Sequence, residues 1–73
     1  MAKIILNPLN DRLAHALERR FGKSVLAPEF RKEPRDRYGR ERRRCIDPET
    51  GSYIVATILP QGRIFVVAEH DGA

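Results

Sequence analysis

The sequence predicts an α+β fold: one N-terminal helix packed on a small antiparallel sheet, a three-stranded C-terminal meander to which an N-terminal edge strand can be added. Three observations carry this. Leu9, Leu13, Leu17 and Phe21 recur every four residues, the spacing of one helical face. Beyond residue 40 the chain turns to runs rich in Ile, Val, Thr, Tyr and Phe, side chains that suit a pleated surface. Two turn signals, Asp47-Pro48-Glu49-Thr50-Gly51 and Pro60-Gln61-Gly62, divide those runs into hairpin-sized pieces.

Taken in order, Ile4, Ile5 and Leu6 form a short apolar run that reads as the edge strand. Asn7-Pro8 ends it and starts the helix, expected over 8–21. Asn7 can accept a bond from the first turn's orphan amides, and Pro8 fits the first helical position. Gly22 suits a left-handed terminator, and Arg19 and Arg20 suit the negative end of the helix dipole. Lys23–Ala27 reads as a further short strand ended by Pro28. From 28 to 39 the Pro, Gly and charge content predicts a basic irregular loop. The meander is expected over 40–69, with strands at Arg40–Ile46, Tyr53–Leu59 and Arg63–Glu69, and 70–73 as a frayed tail.

The turns imply a register. A Pro60-Gln61-Gly62 loop, a type I turn closed by Gly, pairs Thr57 with Phe65, Val55 with Val67 and Tyr53 with Glu69. The alternate set, Ile58 with Ile64, Ala56 with Val66 and Ile54 with Ala68, is wholly apolar and makes the seat for the helix. A four-residue loop at 48–51 adds Cys45 to the helix side. It places Ile46, Arg44, Arg42 and Arg40 on the other face beside Tyr53, Val55, Thr57, Phe65 and Val67. That face would expose Val55 and Val67, so either the loop of 23–38 covers it with Val25, Leu26, Phe30 and Tyr38, or another chain does.

At 73 residues the chain has room for one small domain, which buries only about 60% of its unfolded surface. Cys45 is the sole cysteine, so no internal disulfide can add support, and a homodimer through the sheet face opposite the helix becomes the expected source of further burial. The lone thiol, with no charged-then-apolar leader, leads us to expect a cytoplasmic, reducing location. No apolar run approaches the ~20 residues that span a bilayer.

Charge distribution indicates the class of partner. Residues 31–44 hold eight basic side chains against three acidic ones, a surplus of five, while the whole chain carries only +4. An anionic partner would therefore feel one segment, and seven of its eight cations are Arg, whose planar fork suits phosphate and carboxylate. The expected function is a non-catalytic module that contacts the nucleic-acid phosphate backbone through Arg35, Arg37, Arg40, Arg42, Arg43 and Arg44, with Tyr53 or Phe65 able to stack on bases. Strand alternation would group Arg40, Arg42 and Arg44 and turn Arg43 away. Arg12, His15 and Arg19 form a secondary basic face at i, i+3, i+7 on the helix, whose ordinary reading is a solvated surface shared with Asp11 and Glu18.

The same arginines would serve a rival class, a phage or mobile-element inhibitor or adaptor that binds an acidic protein surface or a nucleic-acid-binding surface on a host protein. No membrane partner, cofactor or metal is expected. His15 and His70 stand in no nucleophile spacing with Cys45, and the glycines suit turns better than a phosphate loop. In element order alone the chain resembles small bacterial mRNA-cleaving toxins, which stabilise the cleaved phosphate with arginines instead of a metal; that likeness implies the one catalytic alternative.

Overall fold

The computed structural model describes residues 7–72. Helix α1 spans Pro8–Phe21. The Asn7 side chain caps it, accepting from the Leu9 and Asn10 amides at 2.9 and 3.3 Å. Gly22, at φ 65° and ψ 35°, donates its amide to the Glu18 carbonyl and ends it. Four antiparallel strands follow, β1 (Glu29–Glu33), β2 (Arg42–Ile46), β3 (Tyr53–Ile58) and β4 (Ile64–His70), paired in chain order as one meander. The fold is α+β, a helix on one face of a small antiparallel sheet. The strand expected at Ile4–Leu6 lies outside the described residues.

The sheet has a fourth strand where a loop was expected. Residues 29–33 are β1, not part of an irregular 28–39 loop, and Lys23–Ala27 is a connection without strand pairing. Pro28 and Pro34 flank β1 instead of interrupting it, which is where proline is tolerated in a sheet. Its charges suit an edge open to water. Pairing with Cys45 turns Phe30 to the helix side, where it packs against the core. Phe30 therefore does not cover the opposite face.

The β2–β3 register is the one that a 48–51 loop dictates, with Ile46 opposite Tyr53, Arg44 opposite Val55 and Arg42 opposite Thr57. Asp47 closes the turn: its amide donates to the Ser52 carbonyl, and its Oδ1 accepts from the Glu49 amide at 2.9 Å. The β3–β4 ladder follows expectation from Ile58–Ile64 to Ala56–Val66, and then Val67 bulges out. Val55 consequently faces Ala68, Ile54 faces Glu69, and Tyr53 faces His70 in place of Glu69. The bulge changes chemistry as well as register. Glu69 turns to the helix side and pairs with Arg20 at 2.7 Å, while His70 stacks on Tyr53 with ring centroids 5.1 Å apart. In the connecting loop, Gln61 as well as Gly62 takes positive φ, departing from the expected type I turn; the Gly62 carbonyl accepts from Arg12 Nη1 at 2.8 Å.

Residues 70–72 of the tail expected to fray are held. His70 belongs to β4, and the Gly72 amide donates to Ser52 Oγ at 3.0 Å. Gly72 passes so near the 50–52 backbone that a Cβ there would overlap the Thr50 carbonyl oxygen.

Leu13, Leu17, Cys45, Ile54 and Ala56 form the buried centre between helix and sheet, ringed by Leu9, Phe21, Phe30, Ile64 and Val66. Two layers produce a slab with extents of 38 × 35 × 17 Å. No helix among the described residues is long and apolar enough to cross a membrane.

Candidate nucleic-acid interface

Three acids divide the arginine block into cations held in ion pairs and cations that are not. Arg31 pairs with Glu29 at 3.4 Å, Arg43 with Glu41 at 2.7 Å, and Arg44 Nε lies 2.9 Å from Glu33 Oε2. The Arg44 N–H is not aimed at that oxygen, so the contact is ionic without being a hydrogen bond. Arg35 donates from Nη1 to the Gly39 carbonyl at 2.7 Å. Among the described residues Arg35, Arg37, Arg40 and Arg42 form no ion pair, and three of these four lie in the tip of the β1–β2 hairpin, residues 34–41.

That tip is built by Asp36. Its Oδ1 accepts from the Tyr38 amide at 2.9 Å and the Arg40 amide at 2.8 Å, while its own amide and carbonyl pair with the Arg40 carbonyl and the Gly39 amide. An aspartate that binds the backbone two and four residues on makes a local turn with no core beneath it. Gly39 supplies the positive φ, 77°, that the turn needs. Desolvation pushes the Asp36 carboxyl up, but the amide bonds from Arg40 and Tyr38 and the charges of Arg40 and Arg42 outweigh it, holding the group below the usual carboxylate range. Glu41 is held low as well, chiefly by its bond from Arg43.

Arg35, Arg37 and Arg40 are exposed there, and the Arg40 guanidinium stands 5.3 Å from the centre of the Tyr38 ring. Tyr38 itself is 73% exposed. The sequence suggests Tyr38 as part of a cover over the sheet; the structure puts it at the hairpin tip instead. The available signal was Asp-Arg-Tyr-Gly, an Asx turn followed by a left-handed glycine, which leaves the tyrosine no core to enter.

The sheet face opposite the helix departs from the expected platform. β2 begins at Arg42, so Arg40 belongs to the tip and does not line up with Arg42 and Arg44. Arg43 points to the helix side, opposite Lys32 and Ala56. Tyr53 is flanked on both sides, by the Arg44 guanidinium at 4.2 Å from its ring centre and by His70, so a base would have to displace one of them to stack. Phe65 remains accessible at 62% exposure, next to Thr57, with Arg42 on the far side of that threonine. Val55 was expected to be exposed but is only 7% so, because Arg44 and Ala68 stand on either side of it.

On the helix, Arg12 holds the Gly62 carbonyl and so braces the β3–β4 turn. His15 and Arg19 are exposed, and Arg63 comes to lie beside them in a groove along β4. Cys45 is fully buried, and burial, followed by the nearby Glu18 charge, pushes its thiol up to about 12; such a thiol is not a nucleophile at neutral pH. Among the described residues no group of three or more His, Cys, Asp or Glu is placed to hold a metal ion. No family model matches the chain, and neither the curated proteins nor the solved structures yield a match.

Proposed function

We infer that the protein is a non-catalytic nucleic-acid-binding module whose phosphate contacts are made by the tip of the β1–β2 hairpin. The observation that carries this reading is the organisation of the tip: Arg35, Arg37 and Arg40 exposed around one aspartate whose Oδ1 is committed to backbone amides. A turn built this way holds its cations in place before a partner arrives, which lowers the ordering cost of binding. Arg42, next along β2, extends the row, and Tyr38 offers a ring face for stacking. Phosphates recognised by guanidinium forks give affinity without reading base identity.

The catalytic alternative has less behind it. The tip contains no histidine, and both of its carboxylates are engaged, Asp36 by backbone amides and Glu41 by Arg43, so no side chain there is poised to take a proton from an attacking hydroxyl.

The test is the salt dependence of binding to a fluorescent oligonucleotide. Log affinity should fall linearly with log salt, and each arginine removed from the tip should reduce the slope by about 0.9 on duplex DNA or about 0.7 on a single strand. Absence of binding to both DNA and RNA at low salt overturns the reading.

A further inference from the structure

The two edges of the sheet are built differently. At one edge, β1 reads Glu-Phe-Arg-Lys-Glu, so every position but Phe30 carries a charge. Charged edges resist pairing with another strand. The other edge, β4, reads Ile-Phe-Val-Val-Ala from Ile64 to Ala68, without charge or proline. β4 is bonded to β3 on one side, and no strand among the described residues occupies the other. Phe65 and Val67 stand on this same strand, exposed at 62% and 45%.

Beside this edge runs a groove between α1 and β4. Arg12, His15, Arg19 and Arg63 line it over a floor of Ala16 and Val66, and no acidic residue joins them. Four basic side chains in a groove alongside an unguarded strand define an occupant by two independent requirements. It must offer backbone N–H and C=O groups in a row, and it must bring negative charge to one side.

We propose that this edge docks an extended acidic peptide segment of a partner protein, which adds to β4 as a fifth strand. Successive side chains of such a strand point to opposite faces. One set would enter the groove and meet Arg12, His15, Arg19 and Arg63; the other would lie next to Phe65. The peptide is therefore an alternation of acidic and apolar residues. Because Val67 is bulged and a bulge interrupts regular pairing, the ladder is short and centred on Ile64–Val66. Backbone bonds would supply affinity and the groove would supply selection.

Two other occupants fit less well. A nucleic-acid strand has charge but no amide ladder with which to satisfy the edge. A second copy pairing through its own β4 would bring basic groove against basic groove, and like charges there oppose the contact. The proposal is independent of the hairpin tip, which lies at the β1–β2 side of the sheet.

The experiment is a nuclear magnetic resonance titration of the full chain with an acetylated Glu-Val-Glu-Val-Glu-Val-Glu peptide, using the Lys-Val counterpart as control. The acidic peptide should shift the amides of Ile64–Ala68 and slow their exchange with solvent. Arg19→Glu, on the exposed helix surface, should weaken it by about tenfold or more, and a variant lacking Arg35, Arg37 and Arg40 should bind it unchanged. Any of four results would overturn the proposal. These are no binding, shifts confined to the hairpin tip, β4 amides already protected in the free protein, or a short oligonucleotide competing at the same resonances. A concentration-dependent dimer through β4 would assign the edge to a second copy and overturn it too.

Discussion

The Arg44 guanidinium sits over the Tyr53 ring, its Cζ 4.2 Å from the ring centroid, while His70 stacks on the same ring from the β4 side. Residues from three strands thus converge on one aromatic side chain, and an arginine that reads as a binding residue becomes part of the scaffold. Arg44→Ala should lower stability by about 0.5–2 kcal/mol through the lost cation–π contact and stem packing. It should leave the salt slope of nucleic-acid binding unchanged. Arg37→Ala should do the reverse, and urea unfolding alongside a salt series on each variant separates the two roles.

One side-chain oxygen, Asp36 Oδ1, ties two amides of the hairpin tip. Asp36→Asn keeps an acceptor at the position of Oδ1 and should retain the turn; Asp36→Ala removes it and frees the Tyr38 and Arg40 amides, seen as faster exchange. Both variants remove the same charge, so weaker oligonucleotide binding by the alanine variant alone reports the value of pre-ordering. Because the Asp36 carboxyl is held below its ordinary value of 3.8, its contribution is complete above that pH. The charge-assisted part of it is lost only as acid takes the pH down through the folded value, and a neutral acceptor remains. Tip amide protection should therefore outlast the protonation of an unperturbed aspartate.

The core is small enough for one side chain to matter. Leu13 is fully buried against Cys45, Ile54 and Ala56, and Leu13→Ala should cost about 2–5 kcal/mol. Against a total of about 5–15 kcal/mol for an ordinary domain, that is enough to unfold much of the population near physiological temperature. Thermal denaturation followed by circular dichroism measures it.

The C-terminal latch is testable at either end. Gly72→Ala places a methyl group into the Thr50 carbonyl, so the tail should detach and lose its bond to Ser52 Oγ. Ser52→Ala removes the acceptor directly, at about 1 kcal/mol. Both variants should raise amide exchange at His70 and Gly72, while the amides of α1 stay as protected as before.

Cys45 supplies a probe of folding with a definite pH signature. Its thiol should resist alkylation in the folded protein at pH 8 and react freely in urea. In the unfolded chain it ionises near 9.0, but in the folded state only near 12. The stabilisation from keeping it neutral is thus intact below about 9 and is lost progressively as pH rises toward 12. A fall in melting temperature across that window, reduced in Cys45→Ala, is the expected outcome.

The helix was legible to the residue because its signals are local: a capping Asn7, Pro8 at the first turn, a four-residue apolar period and Gly22. The β2–β3 register was legible for a similar reason, since a loop of fixed length at 48–51 leaves one pairing. β1 was not legible. Glu29–Glu33 has the composition of a loop, and only the presence of β2 beside it makes five charged-rich residues into a strand. Tyr38 was missed because its exposure follows from the turn made by Asp36, a relation carried by hydrogen bonds more than by residue type.

The fold class, the span of α1, the apolar seat of Cys45, Ile54 and Ala56, and the concentration of positive charge in residues 31–44 are thus all legible along the chain. Each follows from periodicity, turn length or composition, which act over a few residues. Which arginines stay available depends instead on how the strands are packed side by side. Long side chains reach across strands, so Glu33 engages Arg44, and the bulge at Val67 brings His70 to Tyr53 and Glu69 to Arg20. The partner of a charge is set by which strand lies next to it, and that is a property of the sheet, not of any one segment.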